Sequence, residues 1–197
     1  MKPIFVALGA AAAFFIALAL WFVSAYNGFV GLQENVNGAW AQVQNVYQRR
    51  ADLVPNLVET VKGSANFEKS TLQAVVEARA SVGQMKVDKS ILNDPAAFQQ
   101  FEKNQGALTN ALSRLMVVVE KYPDLKASSN FRDLQVQLEG TENRITVERR
   151  SFNEAAVAYN TAIRRLPGSI VAGFGHFTAR PYFEATTEAQ KAPAVKF

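Results

Sequence analysis

The 197-residue chain contains no cysteine, which excludes disulfides, thiolate nucleophiles and thiolate metal sites. It contains a single histidine, His176, in a stretch with no second histidine or cysteine to share a metal ion. No G-x-S-x-G, H-E-x-x-H or Walker-type loop occurs, so the familiar hydrolase, metalloprotease and nucleotide-binding signatures are missing. Charge is missing from one long stretch. Between Pro3 and Ala25 there is no acidic or basic residue, and the run carries Ile4, Phe5, Val6, Leu8, Phe14, Phe15, Ile16, Leu18, Leu20, Trp21, Phe22 and Val23. An α-helix rises about 1.5 Å per residue, so roughly 20 apolar residues cross the ~30 Å hydrocarbon core of a bilayer. The run is long enough to do so, and Trp21 and Tyr26 fall at its end, where amphipathic rings favour the headgroup zone.

A cleaved secretory signal is the competing reading, with Lys2 as a minimal basic region and Val23-Ser24-Ala25 preceding a cut at Tyr26. Signal cores usually run about 7–15 residues, and this one is longer, which favours an uncleaved anchor. Lys2 is the one basic side chain before the span, and none follows it until Arg49. The positive-inside rule therefore places the N-terminus in the cytoplasm and the rest on the extracytoplasmic side. Of 21 basic side chains only Lys2 belongs to the span region, and the remainder nearly balance 17 acidic ones, so no charge excess points to nucleic acid.

Beyond the span the apolar residues change to helical spacing. Phe29, Leu32, Val36, Trp40, Val43 and Tyr47 form one face, with Gly28, Gly31 and Gly38 as weak points. Asp52 before Leu53-Val54-Pro55 reads as a helix start, because Asp accepts from free backbone N–H groups and Pro is tolerated in a first turn. A boundary is therefore expected over 50–54. The alternative is a kinked helix continuing through Pro55 and giving three long helices, disfavoured because proline inside a helix costs ~3 kcal/mol. Leu57, Val58, Val61, Ala65, Leu72, Val75, Val76 and Val82 make the second stripe, broken mildly at Gly63 and ended by a left-handed Gly83. Residues 84–94 connect to a third helix opened by Asp94-Pro95, with Ala97, Phe98, Phe101, Leu108, Leu112, Leu115, Val119 and Tyr122, stopping before Pro123. Ser128 or Ser129 caps a fourth, with Phe131, Leu134, Leu138, Ile145, Phe152, Ala156, Tyr159 and Ile163, ended by Pro167-Gly168.

The expected fold class is all-α: an N-terminal transmembrane helix (1–26), an antiparallel up-and-down four-helix bundle (27–166) and an irregular Gly/aromatic tail (167–197). Such a bundle returns its last helix toward the membrane, so the tail starts near the bilayer. Its Phe174, Phe177, Tyr182 and Phe183 are either interfacial or self-association anchors, or a strap that plugs the end of the bundle.

Several blocks are distinctive. Tyr26-Asn27, Ala39-Trp40-Ala41-Gln42-Val43 and the run from Gln48-Arg49-Arg50-Ala51-Asp52-Leu53-Val54-Pro55-Asn56-Leu57 to Gly63 are the first. Glu77-Ala78-Arg79-Ala80, Tyr122-Pro123-Asp124-Leu125-Lys126-Ala127 and Glu139-Gly140-Thr141-Glu142-Asn143-Arg144-Ile145 follow, then Arg149-Arg150, Tyr159-Asn160, Tyr182-Phe183-Glu184-Ala185 and Pro193-Ala194-Val195-Lys196-Phe197. Together they resemble the LemA family over nearly the whole chain. The resemblance implies a membrane-anchored antiparallel helical bundle of bacterial origin, without a settled activity. The uncharged flank after the span departs from the basic flank that relatives can carry, so sidedness does not transfer.

No constellation of side chains predicts chemistry. Glu139 and Glu142 lie one helical turn apart, but Arg144, Arg149 and Arg150 follow closely and make ion pairs the better reading. Neither catalytic residues nor cofactor or metal ligands are expected. Arg49, Arg50 and Asp52 form either a recognition patch at the membrane-distal tip or an architectural knot, in which Asp52 and Asn56 tie a turn and the arginines pair with Glu139 or Glu142. The favoured function is a non-enzymatic scaffold or adaptor of the bacterial envelope. Its contacts are Arg49, Arg50, Asp52, Phe174, Phe177, Tyr182 and Phe183, and its partners are the lipid bilayer, further copies of itself or other envelope proteins. The alternative is a membrane-shaping or envelope-stress protein acting on lipid directly.

Overall fold

A computed structural model describes residues 2–64, 67–85 and 87–184; Met1, Ala65, Asn66, Lys86 and the last thirteen residues, with the expected Ala185 and 193–197 matches, lie outside them. Most of the described residues are helical, with no strand among them. Six α-helices follow in order: α1 (Lys2–Lys62), α2 (Lys69–Gly83), α3 (Pro95–Val119), α4 (Pro123–Ala127), α5 (Ser129–Arg164) and α6 (Gly168–Phe174), with a 3-10 turn at Lys89–Asn93 before α3. The first part of α1 is long and apolar enough to cross a membrane, and none of that stretch is buried. Its C-terminal half packs chiefly against α5, while α2 and α3 form a hairpin laid beside this pair.

Three of the helices carry buried residues at steps of three and four, with one step of seven in α5. The seam of α1 runs Trp40, Val43, Tyr47, Arg50, Val54, Leu57 and Val61. That of α3 runs Phe98, Phe101, Gln105, Leu108, Leu112, Leu115 and Val119, and that of α5 Leu138, Thr141, Ile145, Phe152, Ala156, Tyr159 and Ile163. This is the spacing that keeps one stripe turned inward along a bundle. The core divides in two. One apolar cluster holds Trp40, Phe98, Phe101, Phe152 and Phe183 toward the apolar stretch of α1, and the other holds Val54, Leu57, Val75, Leu108, Leu115 and Phe131 toward the far end.

The expected starts of the third and fourth helices are present. Asp94 caps α3 by accepting from Ala96 N and Ala97 N, with Pro95 at the first position. Ser128 caps α5, its Oγ accepting from Phe131 N at 3.3 Å. The first turn differs. No boundary occurs at 50–54: α1 continues through Pro55 to Lys62, and the chain turns after Gly63, where only a mild break was expected. Proline 55 has no N–H to offer the carbonyl of Ala51 one turn back. Arg79 on α2 supplies the missing donor, its Nε–H bonding Ala51 O at 3.1 Å. Asp52 therefore caps nothing; it is exposed and accepts from Gln48 Nε2 at 2.8 Å. Two further expectations are corrected. Gly83 is the last helical residue rather than a left-handed terminator, since no described glycine has positive φ. Gly28, Gly31 and Gly38 do not interrupt α1, and a Cβ at each would meet no atom within 4 Å, so within the chain they are not close-packing positions.

Candidate functional site

Arg50 is the most informative side chain. It occupies a core position of the α1 seam and is 1% exposed, so it is no part of a surface patch, and α1 continues another twelve residues beyond it. Its Nη1 donates to Thr109 Oγ1 and to Glu142 Oε1, both at 2.8 Å. Nη2 donates to the Gln105 carbonyl at 3.3 Å and to Gln105 Oε1. The guanidinium lies over the Tyr47 ring, 5.0 Å from its centroid. Three helices thus meet in one polar layer between the two apolar clusters. Burial of a charge is tolerated when it is paired and its donors are satisfied, and both conditions hold for the two terminal nitrogens. Burial pushes the Tyr47 phenol above its ordinary value, with Arg149 and Arg50 opposing. Arg49 is exposed beside the layer and contributes nothing to it, and Glu139 accepts from Gln135 rather than from an arginine of α1.

The tail after α6 is a strap held by two asparagines of α5. Asn160 Oδ1 accepts from Arg180 N at 2.8 Å while its Nδ2 donates to Arg180 O at 2.9 Å. Asn153 repeats the arrangement on Phe183, with both contacts at 2.9 Å. Each amide pairs a backbone N–H and C=O together, as a neighbouring strand would. Between the clamps Tyr182 leans outward, its hydroxyl accepting from Asn160 Nδ2 at 2.7 Å. Phe183 turns inward among Trp40, Phe98, Phe101 and Phe152, its ring centroid 4.9 Å from that of Phe98. The strap reading of the tail therefore holds for Phe183, which is a core residue and unavailable as a contact. Arg180 is buried against Tyr159 and donates to Asn93 Oδ1, tying the strap to the 3-10 turn. Arg149 caps the Phe183 ring at 4.5 Å and pairs with Glu102 at 3.3 Å. Burial raises the Glu102 carboxyl above its ordinary range; Arg149 and the backbone N–H of Glu184 pull it down by less.

The remaining tail aromatics sit beside the end of the apolar stretch of α1. The chain bends sharply between α5 and α6, and Gly168 permits it: a Cβ there would come within 2.9 Å of both Ala162 O and Phe29 Cζ. Phe177 is half-buried edge-on against Tyr26 and Phe29, with centroids at 5.2 and 5.6 Å. Phe174 is 74% exposed, and its one described ring contact is with Phe22 of the apolar stretch, 6.2 Å away. The helical α6 was not expected inside an irregular tail. Its exposed Ile170, and Leu166 just before it, were not singled out in the sequence either, although Ile170 and Phe174 stand one turn apart.

Among the described residues no group of three or more His, Asp or Glu is placed to hold a metal ion. Among the described residues one open cleft of about 520 Å³ is lined by Gln44, Gln48, Arg79 and Gln105, with no carboxylate in its lining.

Comparison with known proteins agrees with these features. A family model described as LemA family matches residues 39–197. Magnetosome protein MamQ of Magnetospirillum gryphiswaldense is 28% identical over 174 residues, which cover 80% of this chain and 64% of that protein. Magnetosome protein MamQ 2 of Paramagnetospirillum magneticum is 27% identical over 175 residues, covering 81% and 64%. Protein LemA of Metamycoplasma hominis is 26% identical over 143 residues, covering 72% and 61%. The chain thus spans less than two thirds of the length of these relatives.

Proposed function

The chain belongs to the LemA family, and from that premise we propose that it is a membrane-tethered, non-enzymatic scaffold whose bundle presents a rigid helical surface to further copies of itself or to other proteins of the bacterial envelope. The observation that carries this reading is the continuity of α1. A single helix of 61 residues serves first as apolar stretch and then as bundle element, so the bundle cannot swivel freely on its anchor. At about 1.5 Å per residue, its last 36 residues would hold the far tip roughly 50 Å from the end of the apolar stretch. A tether with a flexible linker would localise a domain; a continuous helix also fixes its height and angle. Lys2 on one side of the span, with no basic residue before Arg49 on the other, supports an extracytoplasmic bundle. The magnetosome association in two relatives' names belongs to those longer proteins as wholes.

Light scattering on the full chain in mild detergent, paired with single-cysteine crosslinking in native membranes, tests the proposal. The absence of native cysteine makes each introduced one unambiguous. A discrete oligomer, or reproducible crosslinks from exposed bundle positions, is expected. A monomer with no crosslinks from any face would overturn it.

A further inference from the structure

The α5–α6 elbow, at the end of the bundle nearest the apolar stretch, carries exposed apolar residues. Leu166 is 80% exposed, Ile170 55% and Phe174 74%, while Val171 and Ala172 of the same short helix are buried. The height of Phe174 follows from its ring contact with Phe22, and Gly168, at the other end of α6, lies against Phe29 seven residues further along α1. Phe22 precedes Ala25, the last residue of the apolar run, by three positions, or about 4–5 Å of helix rise. If α1 spans a bilayer, Phe174 lies at the depth of the span's final turn, where hydrocarbon gives way to headgroups. Arg164 and Arg165 lie at the end of α5, both exposed and without a carboxylate partner among the described residues. Apolar side chains beside unpaired arginines are the pattern of interfacial segments that sink one face into the acyl boundary while cations meet lipid phosphates.

We infer that the elbow is a second, non-spanning membrane foot: Ile170 and Phe174 seat in the interfacial layer beside α1, and Arg164 and Arg165 bind the headgroups of anionic phospholipids in that leaflet. Water offers these apolar faces nothing, and the span brings the bilayer to them. The foot and the span would then grip the membrane at two points, which fixes rotation of the bundle about the α1 axis as well as its height. This goes beyond the scaffold proposal and does not depend on it, though it rests on α1 being a span.

The test uses the full chain in vesicles of phosphatidylcholine with an equal part of phosphatidylglycerol. A fluorophore is placed on one introduced cysteine at a time. Gly173→Cys reports the foot, Gly9→Cys the span and Gly140→Cys the bundle wall, and at all three a Cβ meets no atom within 4 Å. Brominated lipids serve as quenchers, carried on either headgroup. Quenching is expected at positions 9 and 173 and not at 140. Brominated phosphatidylglycerol should quench position 173 more strongly than brominated phosphatidylcholine, by up to ~5-fold in local enrichment per arginine. The excess should vanish in Arg164→Gln/Arg165→Gln, whose exposed positions leave the fold intact. Quenching at 9 but not at 173 would overturn the foot while leaving the span standing. Equal quenching of 173 by both lipids would overturn anionic recognition.

Discussion

The passage of α1 through Pro55 makes a prediction with a built-in control. Replacing Arg79 by Met keeps the aliphatic stem and removes the donor to Ala51 O, a contact of 3.1 Å at an exposed site. Hydrogen bonds contribute about 0.5–1.5 kcal/mol net, and water competes here, so the expected loss is ~1 kcal/mol. For a domain of this size that lowers Tm by about 2–4 °C. In a Pro55→Ala background the amide of residue 55 can bond the same carbonyl from within the helix. Arg79 is then largely redundant, and Arg79→Met should cost less by ~0.5–1 kcal/mol. Pro55→Ala itself should stabilise, because an interior proline costs up to ~3 kcal/mol relative to alanine, offset by the ~0.4–1 kcal/mol through which proline restricts the unfolded chain. The double-mutant cycle is read by denaturant unfolding of the full chain in detergent, followed by far-ultraviolet circular dichroism. An Arg79→Met penalty that is the same in both backgrounds would refute the reasoning, since the two donors would then not share an acceptor.

Other outcomes follow from the same contacts. Arg50→Ala should cost about 3 kcal/mol, toward the lower end for breaking a buried pair because Glu142 is 39% exposed and can rehydrate; Arg50→Met should recover part of it by filling the space, as chemical denaturation will show. Asn160→Ala should strip hydrogen-exchange protection from the Arg180 amide first and from the Phe183 amide less, because Asn153 holds the latter independently; equal loss at both would mean the strap releases as one unit. Glu102 gives a pH dependence of defined sign. Its folded pKa is raised by burial, so the folded state binds the proton more tightly than the unfolded state, and stability rises as pH falls through the raised value toward the unfolded one near 4.5. Glu102→Gln should flatten that part of the pH–Tm curve, and an unchanged slope would show that the carboxyl does not contribute.

Much of this architecture was legible in the residues. The uncharged run, the Asp94-Pro95 start and the Ser128 cap act locally, and local chemistry is what a sequence displays. The misplaced turn shows where local reading fails. Asp52 and Pro55 look like a helix start because their few neighbours permit one, whereas the donor that lets the helix continue comes from Arg79, twenty-eight residues beyond the Ala51 carbonyl it bonds. A signal was nevertheless present. The steps of three and four from Trp40 to Val61 keep their phase through 50–54, and a turn would have reset it. It was obscured because the seam position at 50 is an arginine, which reads as surface. The asparagine clamps were hidden for a related reason. Asn153 and Asn160 stand seven residues apart on the α5 face that receives the strap, but only a folded tail shows what they bind.

The polar layer also bears on how such a bundle could act at fixed distance from a membrane. A seam of apolar residues spaced by three and four is nearly indifferent to sliding by seven residues, because one layer of leucine, valine and phenylalanine resembles the next. Arg50 removes that indifference. Only one alignment brings Gln105, Thr109 and Glu142 to its two terminal nitrogens. A shift of one heptad along α5 would set it beside positions 135 or 149, a glutamine or another arginine, and would leave a buried guanidinium short of its carboxylate. The layer contributes little net stability by this argument, and much to uniqueness. With the strap pinned to α5 at Asn153 and Asn160, the register chosen at Arg50 also sets where α6 lies relative to Phe22. A residue buried midway along the bundle thereby decides the height at which the far end of α5 meets the span.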